Sequence, residues 1–246
     1  MFYGSCDDPS NLALEFRNAL KEVIQGKLGP KQYTHIYQAI IEHFKNYKNI
    51  SLPDINSIIN DYYTENDLPH DSVTSTMHDL TIHNIFEPVH SPESFFSKSW
   101  IISFANARDT DKIFSLCLLL SSLNLYLKKC PEASLTDTGF RKLRLILAID
   151  EARTVLNLKH PALSENIRLH RSKGLSVFLC SQSPDDYDGK SDDYLENIGL
   201  PICFTTNATS SKVLKNMFHD NVNFSTLDKG VCLTLLDKKP IKVKTF

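Results

Sequence analysis

Two adjacent carboxylates, Asp150 and Glu151, directly follow an apolar run that ends at Ile149. Such a run predicts a buried β-strand, and the ligands of an open α/β sheet bind beyond the carboxyl ends of its strands. Mg²⁺ on nucleotide phosphates takes oxygen ligands, often through water, which suits Asp150, while Glu151 is placed to polarise an attacking water. The pair therefore predicts nucleotide hydrolysis. Its competing interpretation is an ordinary strand followed by an acidic helix cap.

A second apolar run, residues 175–180, leads directly into Ser181 and Gln182. The glutamine amide both donates and accepts hydrogen bonds, so it suits sensing a γ-phosphate or orienting a water. Taken alone, Gln182 is better explained as a turn residue before Ser183 and Pro184. Because the two strands present acids and then an amide at the same predicted sheet edge, a common site is favoured.

Two arginines, Arg168 and Arg171, lie three residues apart in the helix predicted before the second strand, and therefore on one helix face. A guanidinium group binds phosphate through a planar fork and can complete the hydrolytic site of a neighbouring subunit. The competing interpretation, which the pattern alone favours, is a solvated basic face that also carries His170 and Lys173.

A layered α/β fold is needed to bring these candidate residues together. Beyond Trp100, apolar strand-like runs alternate with helical segments, which is typical of a parallel sheet covered on both faces. The first third instead shows apolar residues at helical spacing, broken near Pro30, and Ser51 is placed to cap a third helix. We therefore predict a helical insertion and connector over residues 1–98 and an α/β core over residues 99–246.

The elements of the predicted core are short and alternate in type. Strands are predicted over residues 100–105, 143–149, 175–180, 201–205, 230–236 and 241–245, and helices over residues 111–129, 161–173, 192–198 and 210–218. The strands at 143–149 and 175–180 are expected to be parallel neighbours, since a helix connects them.

The composition excludes several classes of protein. The chain has 246 residues and a formal net charge of -2, so neither an overall basic nucleic-acid binder nor an acidic tail is indicated. Six cysteines without a C-x-x-C pair indicate a reduced, cytoplasmic compartment. The longest apolar stretch, residues 113–127, is too short for a membrane helix, so no membrane partner is expected. The phosphate-binding pattern G-x-x-x-x-G-K-[ST] is absent from the sequence.

Taken together, the motifs resemble the FtsK/HerA branch of the RecA-like P-loop ATPases, ring motors that pump or process DNA. Residues 145–152 (LILAIDEA) resemble that family's Walker B strand, and residues 171–184 (RSKGLSVFLCSQSP) resemble its R-x-x-G … T-Q-x-P segment. Residues 28–32 (LGPKQ) resemble a turn in the helical insertion of HerA-like proteins, and residues 227–233 (LDKGVCL) resemble the closing strand.

The resemblance implies a RecA-like parallel sheet flanked by helices, with an N-terminal all-helical insertion. ATP and Mg²⁺ are the implied cofactors and DNA is the implied partner. By this resemblance Asp150 holds Mg²⁺ through water, Glu151 activates water, and Gln182 senses the γ-phosphate. Arg171 would reach the site of the neighbouring subunit in a homo-oligomeric ring, and Ser181, at the cofactor, replaces the usual threonine.

The family places its phosphate loop on a first strand, ahead of everything matched here. This chain therefore resembles the C-terminal part of such a motor, and alone it is expected to bind ATP weakly or not at all. An upstream fragment that bears the loop is an expected partner, and family analogy suggests a restriction or defence system. Two alternatives stay open: a non-enzymatic, degenerate module that acts through protein–protein interaction, and an unrelated Rossmann-like enzyme with a metal at Asp150.

Overall fold

The computed structural model of the protein has a mixed α/β fold. Helices make up the first half of the chain, and two small β-sheets lie in the second half. The described residues are 8–24, 28–46, 50–82, 89–158, 160–188, 194–207, 212–218 and 224–245. The helices are α1 (Pro9–Val23), α2 (Pro30–Asn46), α3 (Leu52–Glu65), α4 (Ser72–Thr81), α5 (Pro92–Phe96), α6 (Asp109–Lys129), α7 (Arg153–Leu156), α8 (Pro161–Leu169) and α9 (Lys212–Phe218). The strands are β1 (Leu145–Ile149), β2 (Leu175–Leu179), β3 (Ile202–Cys203), β4 (Val231–Leu236) and β5 (Lys239–Lys244).

The first four helices share one apolar core. Phe16 of α1, Ile36 of α2 and Ile55 of α3 are fully buried in it, as the helical spacing of apolar residues predicts. Ser51 caps α3, because its hydroxyl accepts the backbone N–H of Asp54 at 3.3 Å and the Asp54 carboxylate accepts the Ser51 N–H at 2.9 Å. This reciprocal pair confirms the predicted start of the third helix.

The long helix α6 joins the helical bundle to the α/β part of the chain. Near its start, the ring of Phe114 meets that of Phe16 edge-on at a centroid distance of 5.7 Å. Further along, Leu123 and Leu127 are buried against β1 and β2. Because α6 is covered on several sides, its sequence is apolar almost all round. Across the described ranges, no helix combines the length and apolar character needed to cross a bilayer.

A buried polar network fixes α8 against α6. Asn124 of α6 donates from Nδ2 to the Glu165 carboxylate at 2.5 Å and accepts at Oδ1 from His170 Nε2 at 2.6 Å. Asn166 of α8 donates to the backbone carbonyl of Leu120 at 3.0 Å. Buried polar groups need such partners, so the network specifies one packing of the two helices.

A second polar cluster links α1, α6 and the residue before α8. The Ser121 hydroxyl donates to the Glu15 carboxylate at 2.6 Å and lies 3.5 Å from Nε2 of the buried His160. Since Nδ1 of His160 accepts the Ala162 N–H at 3.3 Å, the proton of the neutral ring sits on Nε2. Burial lowers the pKa of His160 to about 4 and raises the pKa of Glu15.

Strands β1 and β2 are parallel neighbours, which confirms the central prediction about the core. Leu145 lies opposite Leu175 and Ile149 opposite Leu179. The connection runs through α7, α8 and a 3₁₀ turn, His170–Lys173. One face of this two-stranded sheet packs on α6 and α8, as parallel strands joined by a helical crossover require.

The remaining strands form a separate antiparallel sheet, and the predicted extended parallel sheet is corrected here. β3 pairs antiparallel with β4, and β4 pairs antiparallel with β5. The turn between β4 and β5 contains only Asp237 and Lys238, both with positive φ (49° and 62°), which matches the right-handed twist of a hairpin. Apolar strand content alone does not reveal this difference, because buried parallel and antiparallel strands have similar composition.

The strand predicted over residues 100–105 is absent, and this is a second correction. Trp100 stacks on Phe95 at a centroid distance of 4.9 Å, and its Nε1 donates to the Phe95 carbonyl at 2.7 Å. The next residue, Ile101, is fully exposed. The apolar run therefore folds back onto α5 instead of pairing with a strand.

Other predicted elements differ mainly at their ends. The helix predicted over 161–173 ends at Leu169 and continues as the 3₁₀ turn, and a 3₁₀ turn at Tyr194–Asn197 stands within the predicted 192–198 helix. Residues 192, 193, 210 and 211 of the two last predicted helices lie outside the described residues.

Candidate functional site

The acid pair stands where β1 ends, beside the end of β2. Asp150 and Glu151 are both exposed, and Oδ1 of Asp150 accepts the Glu151 N–H at 2.9 Å. The next residue, Ala152, donates its N–H to the Cys180 carbonyl at 2.8 Å. The residues after the two strands therefore meet at one sheet edge, as the sequence predicts.

Glu151 adopts a left-handed backbone conformation, with φ of 50°. For a residue other than glycine this costs about 1–2 kcal/mol, and such residues cluster at functional sites. Two hydrogen bonds hold the turn in place, one from the Glu151 N–H to Asp150 Oδ1 and one from the Ala152 N–H to the Cys180 carbonyl. The left-handed backbone is a second indication, separate from the motif, that the position of Glu151 is fixed by more than its local conformational preference.

The loop after β2 is folded back over the strand end by its own side chains. The Ser181 hydroxyl donates to the Asp186 carboxylate, and Arg153 Nε lies 3.6 Å from Asp186 Oδ1. Tyr187 donates its hydroxyl to the Leu179 carbonyl at 2.8 Å, and burial raises the pKa of Tyr187 to about 12. Asp186 thus ties the loop that follows Gln182 to the turn that follows Glu151.

Gln182 is exposed two residues beyond Cys180, so it stands at the same edge as the acids. The hydroxyl of Ser181 is engaged inside the loop and holds its position. Sequence reasoning missed Arg153 and Asp186. Nothing in the sequence spacing marked Asp186, one of five aspartates between residues 185 and 193, as the partner of Ser181.

Arg171 stands at the opposite end of β2 from the acids. It is exposed in the 3₁₀ turn that precedes Gly174 and the strand. Five residues of β2 at about 3.3 Å each separate the two ends by roughly 16 Å. Within one chain, Asp150, Glu151, Ser181 and Gln182 therefore follow the adjacent ends of β1 and β2, and Arg171 lies at the other end of β2.

The side chains at this edge of the sheet would suit a magnesium ion whose other ligands are mainly phosphate oxygens. No group of three or more His, Cys, Asp or Glu side chains suited to a metal ion occurs among the described residues. Asp150 offers one carboxylate whose Oδ1 already accepts a backbone N–H. Mg²⁺ is usually bound by one or two carboxylates together with waters and substrate phosphates, and Asp150 offers one such carboxylate.

A DNA import protein is similar in sequence to part of this chain. Over 116 residues the chain is 32% identical to the DNA import protein CedB of Sulfolobus acidocaldarius. The match covers 42% of this chain and 19% of CedB, so the chain spans about a fifth of the length of that relative. No protein-family model matches the chain.

Proposed function

We propose that this chain is the acid-bearing, C-terminal part of a DNA-translocating or DNA-processing ATPase of the FtsK/HerA type, with a RecA-like core. The observation that supports this most directly is the ending of two adjacent parallel strands on Asp150 and Glu151 and on Ser181 and Gln182. The similarity to a protein named for DNA import supports a role in DNA handling.

In this proposal, Asp150 would hold Mg²⁺ through water, and the ion would neutralise charge at the β- and γ-phosphates. Glu151 accepts the proton of the water that attacks the γ-phosphate. The Gln182 amide hydrogen-bonds the γ-phosphate, and Ser181 holds the Gln182 loop in place through Asp186. Arg171, at the far end of β2, acts at the site of the neighbouring subunit in a ring.

The grip on the β- and γ-phosphates must come from outside this sequence. Backbone amides and a lysine of a phosphate loop supply that grip in P-loop enzymes, and the sequence contains no such pattern. We therefore propose a partner fragment that bears the loop, and we expect the chain alone to bind ATP weakly or not at all.

The test is ATP hydrolysis by the chain mixed with a loop-bearing fragment. The fragment comes from a relative and is chosen because its own sequence carries the pattern G-x-x-x-x-G-K-[ST]. We expect Mg²⁺-dependent phosphate release only in the mixture, and Glu151→Gln should lower the rate by about 10² to 10⁴ because it removes the general base. Glu65→Gln, an equally exposed change at the end of α3, is the matched control and should leave the rate unchanged.

Two outcomes separate the proposal from its alternatives. If the mixture binds but never hydrolyses ATP, or if Glu151→Gln is as active as the unaltered chain, the non-enzymatic module is the better account. If hydrolysis occurs but duplex DNA neither stimulates it nor binds with a steep salt dependence, the DNA role fails while the ATPase stands.

A further inference from the structure

Residues 134–142 form a short hairpin between α6 and β1, which we call the Phe140 hairpin. Leu135 and Arg141 are paired across it in an antiparallel bridge. The Thr136 N–H donates to the Phe140 carbonyl at 2.6 Å, and the Thr136 hydroxyl accepts the Phe140 N–H at 3.0 Å. The backbone of Phe140 is therefore held at both its N–H and its carbonyl, so its ring is presented from a fixed position.

The ring of Phe140 projects into solvent. Phe140 is 74% exposed, more than any other phenylalanine or tryptophan among the described residues. Trp100, by contrast, is 45% exposed and stacks on Phe95. Leu135 and Leu143, in the same stretch of chain as Phe140, are 58% and 64% exposed. Exposed apolar side chains that cluster in this way mark an interaction surface.

Basic residues follow Phe140 directly. Arg141 and Lys142 are both exposed. Because side chains alternate along an extended segment, Lys142 projects from the same side as Phe140, and two residues span roughly 7 Å. Two carboxylates lie in the same region, Glu132 at 3.6 Å from Arg141 Nη1 and the exposed Asp137 at the tip.

Two further cations lie at the base of the hairpin. Arg144 Nε donates to the Lys173 carbonyl at 3.0 Å, and Lys173 Nζ donates to the Cys130 carbonyl at 2.8 Å. These acceptors are neutral, so the bonds hold both side chains without cancelling their charge. Residues 132–144 together with Lys173 thus contain four cations and two carboxylates, whereas the whole chain carries a formal net charge of -2. The hairpin is therefore a local basic surface on an acidic chain.

An exposed aromatic ring among cations is the combination that binds single-stranded nucleic acid. Unpaired bases stack on aromatic side chains, and the cations follow the phosphate backbone. A duplex suits the hairpin less, because separating its stacked bases costs free energy. An anionic lipid surface also suits it less, since the exposed acid Asp137 stands at the tip beside Phe140 and would be repelled by the headgroups.

We propose that the Phe140 hairpin is a binding site for single-stranded DNA, in which Phe140 stacks on an unpaired base and Lys142 contacts a neighbouring phosphate. The choice of DNA rests on the proposed function. The hairpin leads into the start of β1, whereas Asp150 and Glu151 follow its end. Five residues of β1 at about 3.3 Å each separate the two ends by roughly 16 Å, so the strand and the nucleotide occupy separate sites.

Direct binding by the chain alone tests this inference without any hydrolysis. The probe is a fluorescent single strand of about 20 thymidines, which exceeds the length of a typical single-strand site. The comparison strand has the same length and is abasic, so it keeps the phosphates and offers no base to stack. We expect the thymidine strand to bind more tightly than the abasic strand by about 5- to 150-fold, the range for one stacked base.

Variants at Phe140 separate stacking from apolar contact. Phe140→Ala should weaken binding of the thymidine strand by about 5- to 150-fold, and Phe140→Leu should weaken it as much, because neither side chain has a ring. Phe140→Trp keeps a stacking ring and should restore the affinity. Phe204→Ala is the matched control, since Phe204 is 51% exposed beside the other sheet, and it should leave the affinity unchanged.

A second pair of variants tests the phosphate contact. Lys142→Gln should reduce the slope of log affinity against log salt by about 0.7, the value for one phosphate of a single strand. Lys238→Gln changes an equally exposed lysine in the turn between β4 and β5 and should leave the slope unchanged. Circular dichroism of each variant checks that the fold is kept.

Each remaining result has a defined meaning. Equal affinity for the thymidine and abasic strands, or a Phe140→Ala variant that binds as tightly as the unaltered chain, overturns the stacking site. Binding to vesicles of phosphatidylcholine and phosphatidylserine in place of the strand assigns the hairpin to a lipid surface and also overturns it. Strand binding that depends on Phe140, without ATP hydrolysis in the mixture, leaves this site standing and removes the ATPase. DNA-stimulated hydrolysis with strand binding that tolerates Phe140→Ala does the reverse.

Discussion

Replacing Gly174 with alanine should destabilise the chain strongly, because this glycine is where β2 begins against the segment that leads into β1. Its φ is 84°, and an added Cβ would lie 2.6 Å from the Lys142 carbonyl oxygen and 3.0 Å from the Arg144 nitrogen. Both are backbone atoms. They are held by bonds from Lys142 N–H to the Ser134 carbonyl and from Arg144 N–H to the Gly174 carbonyl, at 2.9 and 2.8 Å.

The magnitude follows from two separate terms. A left-handed conformation costs a residue with a Cβ about 1–2 kcal/mol, and overpacking against atoms that cannot move adds about 1–3 kcal/mol. We therefore expect Gly174→Ala to lower the free energy of unfolding by about 2–5 kcal/mol. Gly139 is the matched control, since its φ is 81° but nothing lies within 4 Å of an added Cβ. Gly139→Ala should therefore lose only the about 1–2 kcal/mol of the left-handed conformation.

The assay is urea unfolding of the three proteins, followed by circular dichroism, with free energies extrapolated to water. The difference between the two variants isolates the close approach of the backbones. Equal losses for Gly174→Ala and Gly139→Ala would refute the packing argument, and a Gly174→Ala variant as stable as the unaltered chain would refute the backbone argument as well.

Two further predictions concern the polar groups between the helices. Because burial lowers the pKa of His160 from 6.5 to about 4, only the unfolded chain binds its proton between these values, so stability should fall by about 3 kcal/mol as pH drops through this window. Glu15, whose pKa is raised, has the opposite effect on stability as pH drops. In urea unfolding at several pH values, His160→Gln should remove only the His160 contribution, so the stability of this variant should depend less steeply on pH than that of the unaltered chain. An equal pH dependence for the two proteins contradicts the prediction. Asn124→Ala should cost about 2–4 kcal/mol in the same assay, because buried His170 loses its 2.6 Å partner. Asn216 is exposed on α9, so Asn216→Ala should change stability by under about 0.5 kcal/mol. Similar losses for the two asparagine variants would rule out the network as the cause.

Local chemistry explains why several elements were predictable. Ser51 caps α3 through contacts within four residues, and the break at Pro30 separates α1 from α2 because proline favours a first helical turn. The strand order of β1 and β2 was also accessible, since a strand, a helical crossover and a second strand favour parallel neighbours. The first two cases depend on contacts within a few residues, and the third depends on the general preference of a helical crossover for parallel neighbours.

The choice of packing or pairing partner decided the cases where prediction failed. The run from Trp100 has the composition of a strand, but Trp100 gains a stacking partner and a carbonyl acceptor at Phe95, so no strand forms. β3 has the composition of a parallel strand, but it pairs with β4 across about thirty residues, with Ile202 opposite Thr234. Composition reports burial in both cases and says nothing about which partner provides it.

The order of residues along the chain was enough to establish that two apolar strands end in an acid pair and in a serine and glutamine, because the local hydrophobic pattern marks where each strand ends. The tertiary structure alone decided that Glu151 takes a left-handed backbone, that Ser181 is engaged by Asp186, and that Ile146 and Phe178 lie together on an uncovered face. The turn at Glu151 depends on the contact of Ala152 with Cys180, far along the chain, and the Ser181–Asp186 bond depends on how the loop after β2 closes, so the local hydrophobic pattern fixes neither.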